Sequence, residues 1–306
     1  MDWITGLQKA IDYIEDNLAE DLDYEQIAAR AYVSSFHFQR IFSILCNYSL
    51  GEYIRNRRLT LAGAELNQSG AKVIDVALKY GYESPDSFAK AFTRFHGVTP
   101  SAAREQGASL KSFGRLSIKI SLEGGSIMDY KMETKQKFKV IGKSELFAAS
   151  EEFSREDLPE FWSRCHQDGT VKMLYELSQN TPNSGMVFGI CCEASPANTN
   201  QFPYLIAAAY EGGDIPKGFT VKEIPEYTWA IFKCVGAMPK AIQDLWHRIY
   251  TEFFPASEYR PANGIDLEAY YEGNMADKNY VSEIWIPVEK KIIRYCGTER
   301  GNKTAS

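Results

Sequence analysis

Two stretches of this chain repeat one another. "IAARAYVSSFHFQRIF" (27–42) and "VALKYGYESPDSFAKAFTRF" (76–95) align with Ile27-Ala28 on Val76-Ala77, Phe38 on Phe88 and Phe42 on Phe92. The offset lengthens by one residue between the first pair and the last, so the second copy carries the longer turn. Each copy reads as a short helix, a tight turn and a second helix, which is helix-turn-helix grammar written twice. Between and after the copies, breaks at CNYSLG, QSGAK and HGVTP separate further periodic segments. In "SLGE" a Ser stands three residues before a Glu, a capping box that starts a helix at about Leu50, and Pro100 fits a turn into a last short helix.

The first copy's second helix has two patterned faces. Phe38, Ile41, Phe42 and Leu45 follow the i, i+3, i+4, i+7 spacing of a core stripe. Phe36, Gln39, Arg40 and Ser43 repeat that spacing on another face. A helix in the major groove needs such side chains: Gln pairs bidentately with adenine, Arg with guanine, and an apolar group meets the thymine methyl. Taken alone, the helix also fits a solvated face with one stray Phe. The second copy turns Asp86, Ser87, Lys90 and Arg94 outward and Phe88, Phe92 and Phe95 inward. Two such units on one rigid helix address two major-groove segments about one turn apart.

A chain of 306 residues suggests about two domains. Its net charge of −6 argues against wholesale polyanion binding, but residues 24–108 hold ten Lys/Arg against seven Asp/Glu, a local excess a DNA module can use. No apolar run approaches the roughly 18 residues of a membrane span. The stretch MDWITGLQKAIDYIEDNL is acidic and amphipathic, unlike a signal or transit peptide, so a cytoplasmic location is expected. Six scattered cysteines without a CxxC read as reduced thiols, and four separated histidines do not suggest a metal centre.

Residues 109–127 mix Gly and Ser with apolar residues and read as a linker. Beyond it, "FKVIGKSELFA", "MVFGICCEA", "YLIAAAYE", "YTWAIFKCV", "IDLEAYYE" and "SEIWIPVEK" are strand-like. Amphipathic helices are expected at about 158–178 and 239–254. The order is strand, helix, two strands, then the same again. The fold class is therefore multidomain: an all-α double helix-turn-helix domain (1–108), then an α+β domain of two βαββ repeats (128–292) and a tail (293–306).

The segment 24–104, through "SLGEYIRNRRLTLAGAEL" to "HGVTPSAAR", resembles the DNA-binding domain of AraC-type transcription regulators. The resemblance implies seven helices, two recognition helices and binding to double-stranded DNA. It places Phe36, Gln39 and Arg40 at the first helix's base-reading positions and Asp86, Ser87 and Lys90 at the second's. Arg55, Arg57 and Arg58 fall on the linking helix, where phosphate contact and intradomain pairing are both open. Asp86, an acid, and Lys90, where Arg is frequent, depart from the pattern and suggest a weaker second helix.

"IPEYTWAIFKCVG", "IQDLWHRIYTEFFP", "IDLEAYYEG" and "EIWIPVEKK" resemble the GyrI-like effector-binding domain. That resemblance implies a groove between two pseudo-symmetric halves for a small hydrophobic, often cationic, molecule. By strand alternation Asp266, Glu268 and Tyr270 share one face of their strand, and Glu283 and Trp285 share a face of theirs. Glu268, Tyr270, Glu283 and Trp285 are expected to look into the groove, with Trp229, Phe188 and Tyr210 as further lining. An unpaired carboxylate among rings is costly, and a lipophilic cation offsets the cost. Either Glu could instead pair with a nearby Lys, Arg or backbone N–H. The function expected is a ligand-responsive transcription regulator, with RNA polymerase as a further partner and no cofactor. The alternative is a small-molecule hydrolase or a sequestering protein using the same groove, although no nucleophile–base set stands out and the adjacent Cys191 and Cys192 must face opposite ways.

Overall fold

Each copy of the repeat folds as its spacing predicts. In the computed structural model, which describes residues 3–118, 127–148, 157–179, 181, 183, 185–192, 201–262 and 264–291, the copies are α2 (Tyr24–Arg30) with α3 (Ser35–Cys46), and α5 (Val73–Lys79) with α6 (Pro85–His96). The 293–306 tail lies outside the described residues. Both turns pass through a left-handed residue, Tyr32 at φ 60° and Gly81 at φ 80°. Ser34 caps α3 by accepting from His37 N–H, and Ser84 caps α6 by accepting from Ser87 N–H. Glu83 is thus the extra residue of the second turn. Between the copies runs α4 (Leu50–Ser69), whose first turn is capped by Ser49 accepting from Glu52 N–H at 3.1 Å, as the capping box requires. With α1 (Trp3–Asp16) in front and a 3-10 turn at Ala102–Arg104 behind, the helical order matches the expectation.

Two apolar cores hold this domain. Leu7, Ile11, Ile14, Phe38, Phe42 and Tyr53 form one. Leu59, Leu66, Val76, Phe88 and Phe92 form the other. The long helix α4 contributes to both, which makes it the rigid link between the copies. Arg57 and Arg58 resolve the alternative left open above: Arg57 makes a bidentate pair with Glu15 (2.9 and 2.8 Å), and Arg58 donates to the carbonyls of Leu18 and Glu20.

The expected linker behaves differently in its first ten residues. Residues 109–118 lie along the helical domain as a strap. Phe113 N–H donates to Thr60 Oγ1, Leu116 N–H to Tyr53 OH and Ile118 N–H to Gln8 Oε1. Phe113, Leu116 and Ile118 pack on the first core. His96 pins the start of the strap. Its Nε2 lies 2.9 Å from the Leu59 carbonyl, which can only accept, so Nε2 carries the proton and Nδ1 accepts from Lys111 N–H at 3.1 Å. Burial lowers the His96 pKa below its ordinary 6.5 and outweighs the upward pull of the Leu59 bond. The unfolded chain therefore binds the proton first, and stability falls as pH drops below about 6.5. Denaturation midpoints at pH 7.5 and 5.5 should differ, and His96→Gln, which offers the same donor and acceptor without titrating, should narrow the gap. An unchanged gap would remove His96 from this role.

Among the described residues the second domain has a sheet of nine strands: β1 (Tyr130–Lys135), β2 (Phe138–Ala148), β3 (Met186–Cys192), β4 (Gln201–Ala209), β5 (Thr220–Ile224), β6 (Tyr227–Val235), β7 (Tyr259–Pro261), β8 (Ile265–Tyr271) and β9 (Val281–Lys290). The order is β1-β6-β9-β8-β3-β4-β2-β5, with β7 beside β9. The two βαββ halves, β2-α-β3-β4 and β6-α-β8-β9, are related across the β3–β8 ladder. The strands leading into each half cross over: β1 pairs with β6 and β5 with β2. The helix expected at 158–178 is two helices, α7 (Asp157–Gln167) and α8 (Thr170–Ser178), because Gly169 takes φ 80° and Asp168 accepts from Thr170 N–H. The helix expected at 239–254 is α9 (Lys240–Arg248) running into a π turn over Ile249–Phe253. Helices cover one face of the sheet. The other face closes on itself, since Val140 and Ile224 at one end share a cluster with Trp229 and Trp285 near the other.

Candidate effector groove and DNA-binding helices

Strand register decides which predicted residues meet. In the β8–β9 ladder Glu268 stands opposite Ile284 and Ala269 opposite Glu283. Opposed residues share a face, so Glu268 and Tyr270 lie on the helix-covered face and Glu283 and Trp285 on the other. The four do not form one site. Glu283 is occupied on its own face, accepting from Tyr271 OH at 3.2 Å and Trp285 Nε1 at 2.7 Å. Trp285, Trp229 and Phe188 are fully buried together there, with Trp285 ring centroids 5.6 Å from Phe188 and 6.0 Å from Trp229. They are core, not lining. Tyr210 sits beyond the end of β4, its hydroxyl donating to the Gly213 carbonyl, away from either cluster.

On the helix-covered face a cluster of side chains is built around Glu268. Its carboxylate accepts from Trp246 Nε1 of α9 at 2.7 Å and from Tyr270 OH at 2.8 Å. Trp162 of α7 stands edge-on to Tyr270 at 5.1 Å and donates to Tyr204 OH at 3.0 Å. Trp246 stacks on Tyr250 at 6.1 Å. Asp266, two residues before Glu268 on the same strand face, adds a second carboxylate. Trp162 and Tyr204 belong to the first half, while Trp246, Asp266, Glu268 and Tyr270 belong to the second, so the cluster spans the seam. Burial pushes the Cys191 thiol up to about 12, the reverse of an activated nucleophile. Cys191 and Cys192 fall in the clusters of opposite sheet faces, as adjacent strand residues must.

The helical domain docks on this cluster. Phe36, Gln39 and Arg40, expected to face outward, are turned inward in the structure: Phe36 is 8% and Gln39 9% exposed, and the Arg40 side chain 17%. Phe36 packs on Phe202 of β4 at 5.1 Å. Gln39 Nε2 donates back to Ser35 Oγ. Arg40 Nε donates to Asp266 at 3.1 Å, its Nη2 lies 3.9 Å from Glu268, and the guanidinium sits 4.9 Å over the Trp246 ring. Burial weighs against its charge, but Cys191, Asp266 and Glu268 more than offset that and raise the Arg40 pKa above its ordinary value. Ile41, placed in the helical core by periodicity, is instead buried among α9, β6 and β9. Ser43 is half-buried. Three buried faces on one helix are the physical reason for the discrepancy: outward residues of an amphipathic helix stay exposed only when nothing else docks there.

The second recognition helix is free of this contact. Asp86, Ser87, Lys90 and Arg94 are all exposed on α6, and Lys90 and Arg94 flank a shallow depression with Ala89 and Thr93.

Comparison with known proteins accounts for both domains. Residues 27–106 match a helix-turn-helix domain model, and residues 131–288 match the model of the integron-associated effector binding protein. The HTH-type transcriptional activator AarP of Providencia stuartii is 42% identical over 92 residues, covering 30% of this chain and 68% of that protein. The chain belongs to the AraC family of transcription regulators. A second relative of this regulator, the right origin-binding protein of Escherichia coli K12, is 23% identical over 307 residues and matches 95% of this chain and 100% of its own. A solved structure of SAV2435 bound to tetraphenylphosphonium shares 24% identity over 53% of this chain and 94% of that one, with a TM-score of 0.47. The second domain of this AraC-family chain, expected to be a GyrI-like effector-binding domain, is the part that matches the integron-associated effector binding protein. No helix among the described residues is long and apolar enough to cross a membrane.

Proposed function

We propose that this regulator senses a lipophilic cation in the groove, with Glu268 as the principal counter-charge, and that it holds DNA through its recognition helices. The observation that carries the reading is Glu268: a carboxylate whose two short hydrogen bonds come from neutral donors, Trp246 and Tyr270, inside aromatic walls. Neutral donors orient the carboxylate without cancelling its charge, so the site favours a cation, with cation–π contact worth about 0.5–2 kcal/mol in addition. Glu268→Gln keeps the shape and removes the charge. Tetraphenylphosphonium should bind this variant about 1–3 kcal/mol more weakly, while neutral triphenylphosphine oxide should lose little. Titration calorimetry with both ligands measures it. Equal loss for both would mean a damaged fold, and no loss for either would discard Glu268 as the counter-charge.

On the DNA side, α6 offers Lys90 and Arg94 for phosphates and Asp86 and Ser87 for base edges. Phe36, Gln39, Arg40 and Ser43 serve the same purpose on α3 once that helix is exposed. Replacing Lys90 and Arg94 by alanine should weaken DNA binding evenly across sequences and flatten the log–log salt dependence by about 2, close to one unit for each phosphate no longer neutralised. A slope equal to that of the unaltered protein would take α6 out of the interface. The bound form acts on transcription through RNA polymerase, by direct contact or by changing the geometry of the two DNA-bound helices.

A further inference from the structure

The groove already contains a cation. Arg40 lies 3.9 Å from Glu268 and over Trp246, contacts the preceding reading assigns to the effector, and pairs with Asp266 beside them. The rest of α3 extends the match. One turn earlier Phe36 fills the first half of the seam against Phe202, and one residue later Ile41 is buried against the second half. Side chains suited to reading bases are thereby withdrawn from any duplex.

We propose that α3 is the groove's own intramolecular ligand, and that α3 and the effector are alternative occupants. With α3 docked, the first recognition helix is latched and only α6 is presented to DNA. A lipophilic cation that takes the carboxylates and the Trp246 face displaces Arg40 and frees the base-reading face. An effector shifts such an equilibrium by its difference in affinity for the two states. Here the difference is large, because the latched state has the site filled. By linkage, the apparent affinity for DNA is the intrinsic affinity multiplied by the fraction of molecules that are unlatched. The latch itself rests on geometry alone. Its release by a cation rests on the cationic reading of the groove, and the two can fail separately.

The test uses the full chain and a duplex selected from a random pool with the Asp266→Asn variant. Asp266 is on the sensor side, so this substitution loosens Arg40 without altering the DNA-facing residues. Asp266→Asn is expected to bind the duplex at least about 10-fold more tightly than the unaltered protein, and the α3 amides (35–46) to lose hydrogen-exchange protection. Saturating tetraphenylphosphonium should bring the unaltered protein to the same affinity and the same exchange. Arg40→Met, with its competing cation removed, should bind tetraphenylphosphonium about 10-fold more tightly. Equal DNA affinity and equal α3 protection in Asp266→Asn and the unaltered protein would overturn the latch. A tightened Asp266→Asn together with no effect of tetraphenylphosphonium on either protein would keep the latch and reject the cationic effector. Weaker tetraphenylphosphonium binding by Arg40→Met would show that Arg40 helps to hold the ligand, and would overturn the competition.

Discussion

Replacing Arg57 by alanine is expected to destabilise the helical domain by about 3–5 kcal/mol, the cost of stranding a buried carboxylate without its cation. The Glu15 side chain is 6% and that of Arg57 12% exposed, and the pair is bidentate. Arg57 also donates to the Phe113 carbonyl, so one guanidinium ties α1, α4 and the strap. After its removal Glu15 keeps the Tyr53 hydroxyl as a donor. Burial pushes the Glu15 carboxyl up, but the bonds from Arg57 and Tyr53 outweigh it and set the pKa below its ordinary 4.5. That carboxylate therefore contributes stability above about 4.5, which is lost as pH falls through the lower folded value. Arg57→Ala should erase this acid sensitivity as well as shift the urea midpoint. Replacing Glu15 and Arg57 together by apolar residues of similar volume should restore most of the loss. A single-variant cost under about 1 kcal/mol would mean that water enters and hydrates Glu15.

The second large effect concerns where the DNA-binding module ends. A fragment ending at 108 looks self-contained by composition, yet the structure predicts that it is destabilised by at least about 3 kcal/mol relative to one ending at 118. Two ring contacts from Phe113, 5.5 Å to Tyr48 and 6.0 Å to Tyr53, disappear with the strap. Leu116 and Ile118, half-buried on the first core, also leave it uncovered, and each forfeits part of the about 1.5–3 kcal/mol that full burial of such a side chain is worth. The Tyr53 hydroxyl and His96 Nδ1 lose their partners from the strap at the same time. Thermal unfolding of the two fragments measures the difference. Coincident transitions would show that the strap follows the fold without supporting it.

Local chemistry makes much of this molecule legible from its residues alone. The repeated turns, the Ser49 cap at the start of α4, the inward phenylalanines and the two βαββ halves all follow from spacing, since each is fixed by neighbours a few residues away. Strand alternation likewise puts Asp266 with Glu268 and Tyr270. What alternation cannot supply is the register between strands. It therefore groups Glu283 and Trp285 with Glu268, although the β8–β9 pairing sets them on opposite faces. Trp246, Trp162 and Tyr204 escape such reasoning because they come from three different elements that only the tertiary fold assembles. Asp266 is visible in the pattern but carries no aromatic neighbour to single it out. The largest discrepancy is Arg40. Its partners lie more than two hundred residues away, and a helix face rich in Gln, Arg and Phe reads alike whether it meets a duplex or an acidic, aromatic groove.

The exchanged edge strands have a mechanical meaning. Chain leaving the helical domain arrives at β1, and β1 is zipped along β6, the half that carries Trp246, Asp266 and Glu268. A pull along β1 is thus delivered to the half gripping Arg40, against an antiparallel ladder whose hydrogen bonds resist together. Because β5 makes the reciprocal crossing onto β2, the halves are laced like the two sides of a boot. They are therefore tied to one another at both edges as well as along the central β3–β8 ladder, and separating them means breaking all three pairings.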